Sequence, residues 1–180
     1  MVCFVSSKPD PKFQSIADIL MKNHADIKSV ILNINSKNTN VIMGSRCITL
    51  GGSDTITDIM CGNRISLSPL SFYQVNTAQA EKLYGIAAEF AALTGDEDVL
   101  DLYCGAGTIG LSMAGKAKHI TGAEIIPQAV ENAKLNARKN GIENADFICA
   151  DAGQAAKLLC DKSRAPDVII TDPPRKGCDA

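Results

Sequence analysis

The chain has 180 residues, 46% of them hydrophobic, enough to bury a core as one full domain or two small ones. Its 18 basic and 20 acidic residues leave a net charge of −2, a balance that gives no support for a nucleic-acid partner, so any such role has to come from site chemistry. Apolar runs such as "DVIIT" and "SVILNI" are far too short to span a bilayer, and "MVCFVSSKPD" lacks the basic region and long apolar core of a secretion signal, so the expected location is cytoplasmic with no membrane partner.

In chain order, "VCFVSS" reads as a short strand and "PKFQSIADILMKNH" as a helix with Phe13, Ile16, Ala17 and Leu20 on one face. "KSVILNIN" alternates Val30, Leu32 and Ile34 with Ile31 and Asn33, as in a half-buried strand, and a second strand is expected at "VIMG" after "SKNTN". Two more short strands, around Ile56 to Met60 and Arg64 to Leu67, flank "CGN". Residues 1–70 therefore read as a small α+β unit with antiparallel strands.

From Asn76 the pattern changes. "NTAQAEKLYGIAAEFAALTG" puts Ala80, Leu83, Tyr84, Ala87, Phe90 and Ala91 on one helical stripe, with Asn76 or Thr77 as N-cap and Gly95 as the stop. Strands and helices then alternate: "DVLDLY", "TIGLSMAGKA", "HITGAE", "PQAVENAKLNARKNG", "ADFICA", "AGQAAKLLCDKS" and "DVIIT". Such alternation implies a parallel sheet with helices on both faces, so residues 71–180 read as an α/β domain.

Seven cysteines, at 3, 47, 61, 104, 149, 160 and 178, form no CxxC pair, and their odd, irregular spacing gives neither a disulfide framework nor a metal site. Most read as small buried hydrophobes. "DLYCGAGTIG" carries Gly105, Gly107 and Gly110 as a G-x-G-x-x-G after a strand, a weak signal shared by sites for nicotinamide cofactors and for S-adenosylmethionine. Asp101 ends the strand, Glu124 ends "HITGAE" and Asp151 follows "FICA". A carboxylate such as Asp101 repels a pyrophosphate but favours a sulfonium and an ammonium group, which points to the methyl donor. Glu124 suits a ribose diol in either class, and Asp151 suits an adenine amino group. The plainer alternatives stay open: Asp101 bonding loop amides, and Asp151 as an ordinary helix N-cap.

The chain closes on "DPPR" at 172–175, after the fourth strand and at the switch point where doubly wound sheets bind ligands. "FYQVN", "DLYCGAGTIGL", "GAEIIPQAVENAKLNARKNGIEN" and "DPPRKGCD" together resemble the RNA uracil-5-methyltransferases, the 23S rRNA and T-loop tRNA uridine enzymes, and most closely the Gram-positive 23S rRNA branch. The resemblance runs from about residue 28 to the last residue. It implies a Rossmann-like S-adenosylmethionine-dependent methyltransferase fold, C-terminally truncated and preceded by the small α+β unit, with RNA as partner. Cofactor contacts carried over by motif fall on Gln74, Tyr103, Thr108, Glu124, Asp151 and Asp172, with Asp101, Gly105 and Gly107 shaping the same site.

In that family a cysteine thiolate adds to uracil carbon 6, carbon 5 attacks the sulfonium methyl, and a base then removes the carbon-5 proton as the cysteine leaves carbon 6. The resemblance places both the cysteine and the base beyond the "DPPR" strand, so the chain is expected to be a fragment that is inactive alone. On the same resemblance it is expected to be without the family's N-terminal RNA-binding barrel and iron–sulfur cysteines. Cys104 reads as packing, and Cys178 belongs to "RKGC" rather than to the nucleophile motif. Asp172 is assigned to the N3–H of the target uracil, and Arg175 and Lys176 either to phosphates beside a flipped nucleotide or to a solvated surface pair.

Three other readings remain: a methyltransferase for amino groups, disfavoured by Arg175 where those enzymes carry an aromatic; a nicotinamide oxidoreductase, disfavoured by Asp101 and by the placement of His24 and His119; and a non-catalytic S-adenosylmethionine-binding piece. With the sheet order 3-2-1-4, the fourth strand is an open edge, so self-association or partial disorder is expected near residues 167–180.

Overall fold

The computed structural model describes residues 1–161, 165–174 and 177–178. The chain forms two compact units, Met1–Thr57 with Ser66–Leu70, and Asp58–Ile65 with Ser71–Ala180. The change of unit is not a single cut near residue 70, because residues 58–65 group with the second unit.

The first unit contains β1 (Val2–Ser6), α1 (Lys12–Asn23), β2 (Ser29–Ile34) and β3 (Arg46–Gly52). β1 and β2 pair in parallel across the α1 crossover and β3 joins β2 antiparallel, so the sheet is mixed where antiparallel strands were expected. β2 is the middle strand, and Ser29 through Asn33 are all buried, replacing the expected half-buried alternation. On α1, Ala17 is buried but Ile16 is exposed, so the apolar stripe is narrower than its spacing suggests.

The expected strand at "VIMG" does not form; β3 begins at Arg46 instead. Two side-chain amides take the place of ladder partners there. Asn33 Nδ2 donates to the Gly44 carbonyl at 2.7 Å and its Oδ1 accepts from the Gly44 N–H at 2.7 Å. Asn35 Nδ2 donates to the carbonyls of Val41 and Ile42. Backbone groups satisfied this way have no need of a strand.

β4 (Ile56–Met60) and β5 (Asn63–Leu67) pair across Cys61 and Gly62, both at positive φ, the pair of left-handed residues a tight hairpin turn requires. Within the second unit the hairpin tip is bonded at three places. The Cys61 N–H donates to Glu81 at 2.7 Å, Asn63 Nδ2 donates to the Leu111 carbonyl at 3.2 Å, and Arg64 exchanges two backbone bonds with the Asn140 amide.

The second unit also holds α2 (Thr77–Ala91), β6 (Asp98–Leu102), α3 (Thr108–Met113) running into a 3₁₀ turn at Ala114–Lys116, β7 (His119–Glu124), α4 (Pro127–Lys139), β8 (Ala145–Cys149), α5 (Ala152–Asp161) and β9 (Val168–Thr171). All pairings in the order β8-β7-β6-β9 are parallel, which is the expected 3-2-1-4 arrangement of a Rossmann-like sheet. Val99, Leu100 and Ile120 are almost wholly buried, each such side chain worth about 1.5–3 kcal/mol of apolar transfer. Phe147 packs with Leu111, Val130 and Ala133 to seat α3 and α4 against the sheet.

Asn76 caps α2 as expected, its side chain accepting from the Gln79 N–H. The helix stops at a left-handed Ala92, however, not at Gly95. Of the expected stripe, Ala80 and Tyr84 are buried, whereas Leu83 is 59% and Phe90 86% exposed. The face that packs is rotated toward the small residues and Tyr84. Among the described residues no helix is long and apolar enough to cross a membrane.

Candidate functional site

The carboxyl end of β6 opens into residues 103–107, where Tyr103, Gly105 and Gly107 all have positive φ, 62°, 54° and 81°. Such a run turns the chain sharply over the strand ends. Glycine tolerates it freely, but Tyr103 bears a cost of about 1–3 kcal/mol, the kind of strain that collects at ligand sites. Gly107 and Gly110 are also needed for close approach. A Cβ at Gly107 would lie 2.9 Å from the Phe147 ring, and one at Gly110 2.8 Å from Ile120 Cγ2 and 3.0 Å from Asp101 Oδ2.

Asp101 has no exposed surface. Its Oδ2 accepts from the Gly110 N–H at 2.9 Å, and its Oδ1 has no hydrogen-bond partner among the described residues. Burial, reinforced by the nearby Asp172 and Glu124 carboxylates and opposed by the Gly110 bond, pushes its pKa up to about 7. The plainer sequence reading, a carboxylate holding a loop amide, is thus observed, while half of the carboxyl group is left over.

Glu124 sits at the end of β7 and is half-buried. Its Oε2 accepts from the Gly105 N–H at 3.1 Å and its Oε1 from the Ile126 N–H at 2.9 Å. Both oxygens brace the turns on either side, and each keeps acceptor capacity for a ligand hydroxyl. Asp151 is the N-cap of α5: its Oδ1 accepts from the Gln154 N–H at 2.8 Å, and Gln154 Oε1 accepts from the Asp151 N–H at 3.4 Å.

A cleft of about 670 Å³ lies over these strand ends. Tyr103, Glu124 and Asp151 line it together, with Leu102, Ala123, Ile125 and Ala150 as apolar walls and Pro174, Gly177 and Cys178 from the closing segment. Gln74, Thr108 and Asp172 are not among its lining. Gln74 is half-buried, and beside it Tyr73 donates to Asp58 Oδ2 at 3.0 Å. Burial, with Asp58 next, pushes the Tyr73 phenol up to about 12. Thr108 opens α3, and Asp172 is exposed after β9. Arg175 and Lys176 lie outside the described residues.

Cys104 is buried under the loop, and burial, with Asp101 and Glu124 adding, pushes its thiol above the ordinary thiol range. That matches its reading as packing. Cys178 is exposed and lines the cleft. Sequence reasoning missed Ile125, which is 62% exposed yet forms a cleft wall. The signal was available: "EII" places two apolar residues directly after a strand-end acid, where a merely solvated loop would be polar.

Residues 93–175, from the loop before β6 through the closing motif, match the family model of a methyltransferase domain. The whole chain is similar to an uncharacterized RNA methyltransferase of Clostridium acetobutylicum, 45% identical over 179 residues, 99% of this chain and 39% of that protein. It is also similar to one of Staphylococcus aureus strain MRSA252, 45% identical over 180 residues, 99% of this chain and 40% of that protein. The chain is a homologue of proteins named uncharacterized RNA methyltransferases. It spans about two fifths of the length of these relatives.

Among solved structures, the tRNA (uracil-54, C5)-methyltransferase of Pyrococcus abyssi in complex with S-adenosyl-L-homocysteine aligns with 97% of this chain and 40% of its own, at 27% identity and a TM-score of 0.70. A Streptococcus mutans protein described as a SAM-dependent methyltransferase aligns with 96% of this chain and 46% of its own, at 14% identity and a TM-score of 0.58, a likeness of fold alone. The Rossmann-like methyltransferase fold expected from the motifs is therefore the fold of the second unit.

Proposed function

We propose that the cleft binds S-adenosylmethionine and that the protein methylates carbon 5 of uracil in RNA. The observation that carries the cofactor assignment is the charge of the site. The cleft lining has two carboxylates, Glu124 and Asp151, and no cationic side chain among the described residues, and Asp101 lies buried near Glu124 with one oxygen unpartnered. A pyrophosphate would meet repulsion there, whereas a sulfonium and an ammonium group would be stabilised. The cleft volume also suits a nucleoside.

On this reading Glu124 accepts from the ribose hydroxyls, Asp151 takes the adenine amino group with the oxygen its cap leaves free, and Ile125 and Ala150 flank the ring. Tyr103, Gly105 and Gly107 bring the backbone close, and Gln74 and Thr108 serve the amino-acid end beyond the cleft lining. Bound S-adenosylmethionine supplies an electrophilic methyl group. Likeness to the uracil-54 enzyme over 97% of the chain supports uracil as the base, and resemblance of the motifs to the Gram-positive 23S rRNA branch supports 23S rRNA as the substrate.

Neither candidate thiol suits attack on the base. Cys104 is buried with its thiolate disfavoured, and Cys178 lines the cleft that the methyl donor would fill. We infer that the chain binds cofactor without turnover by itself. The outer edge of β9, with Ile169 57% exposed, supports self-association through that strand.

Calorimetric titration with S-adenosylhomocysteine tests the cofactor assignment. Wild type should bind, Glu124→Ala should lose about 1.5–3 kcal/mol of affinity, the range for a hydrogen bond to a charged group, and NADH should give no heat. NADH binding in place of S-adenosylhomocysteine would overturn the reading.

A further inference from the structure

Tyr84 lies in the middle of α2 and is only 4% exposed, the one large side chain on the buried face of that helix. Its hydroxyl lies 3.3 Å from Thr108 Oγ1, the first residue of α3 and the residue that follows the glycine turn. A valine or leucine would fill a core position as well, so a phenol here requires an explanation in its polar end.

The direction of this hydrogen bond follows from the two hydroxyls. A phenol is the better donor and the poorer acceptor, because its lone pair is delocalised into the ring, so the favoured arrangement has Tyr84 donating and Thr108 accepting. Burial, and after it the Asp172 and Asp101 carboxylates, keep the phenol protonated, although the Thr108 bond works the other way. Thr108 Oγ1 has no other side-chain partner among the described residues. Its single proton is then left to point elsewhere, toward a ligand acceptor.

We propose that Tyr84 is a positioning residue of the cofactor site, its hydroxyl donating to Thr108 so that the Thr108 hydroxyl is held as a donor to the amino-acid carboxylate of the bound nucleoside. The inference rests on the S-adenosylmethionine reading and adds to it a residue that no motif marks. It also accounts for a polar aromatic on a helix whose other buried residue is Ala80.

The test uses the whole chain, its Tyr84→Phe and Thr108→Val variants and the double variant, with two probes. S-adenosylhomocysteine carries the amino-acid end; 5′-methylthioadenosine lacks it. Tyr84→Phe keeps the ring, so its melting temperature should stay close to wild type. Its affinity for S-adenosylhomocysteine should fall about three- to tenfold, the span of one ordinary hydrogen bond, while affinity for methylthioadenosine should not change. In the Thr108→Val background the tyrosine substitution should have no further effect.

Equal weakening of both probes, additive losses in the double variant, or no loss at all would each overturn the positioning role while leaving the cofactor reading intact. If wild type binds neither probe, the cofactor reading fails and the inference falls with it. If Tyr84→Phe melts well below wild type, Thr108→Val alone decides: it must lose affinity for S-adenosylhomocysteine and keep it for methylthioadenosine, or the inference is wrong.

Discussion

On the proposed reading Asp101 serves the cofactor site at the expense of the fold. An ordinary aspartate titrates near pH 4 in an unfolded chain, and here burial raises that value to about 7. Between the two values the folded chain holds a proton that the unfolded chain releases. The stabilisation is therefore fully present below about pH 4 and is lost as pH rises through about 7. Urea unfolding from pH 5 to 8 should show stability declining with pH by up to about 1.4 kcal/mol per pH unit, the limit for one proton. Asp101→Asn should flatten that component, and parallel profiles for the two proteins would show that Asp101 does not titrate this way. The three strand-end acids were legible in the sequence because the end of a strand can be read from its apolar run. The Tyr84–Thr108 contact was not, because the two residues are joined by the packing of α2 on α3, which no local pattern encodes.

Elements were readable where their own periodicity decided them. β6, β7, β8 and β9 follow apolar runs bounded by turn residues, and α4 begins at Pro127, whose missing N–H costs nothing in the first turn, and ends with Arg138 and Lys139 in its last turn, favourable at the negative pole of the helix dipole. The errors fell where a distant group replaced the local preference. Asn33 and Asn35 occupy backbone groups of Val41, Ile42 and Gly44, leaving the Val41 and Ile42 side chains exposed. The glycine turn joins the two levels, since its spacing was legible but the reason for each glycine was not. Gly110→Ala should cost about 1–3 kcal/mol in chemical denaturation, because the new methyl meets Ile120 and the Asp101 carboxylate. Gly115→Ala, with open space around it, should stay within about 0.5 kcal/mol of wild type. Equal effects at the two positions would mean that close approach is not what Gly110 provides.

At the scale of the molecule, β9 is the last strand in the order β8-β7-β6-β9, and α2 leaves Leu83, Ile86 and Phe90 in solvent. An edge strand and a line of apolar side chains both favour association. Sedimentation velocity should show a mass that rises with concentration, and Ile169→Lys should return the chain toward monomer. A single monomeric species at all concentrations would refute association through this edge.

The sequence by itself determined the alternation of strands and helices, hence a parallel sheet, and the placement of Asp101, Glu124 and Asp151 at its carboxyl ends. These follow from periods of two and 3.6 residues and from the short reach of a turn, which are local properties. Only the tertiary structure decided that residues 58–65 group with the second unit, that β1 runs parallel to β2, that Asp101 is buried with an oxygen left over, and that Tyr84 meets Thr108. Each of these depends on which distant groups satisfy a buried polar atom or exclude water from it, and such partners are chosen by packing rather than by neighbours in the chain.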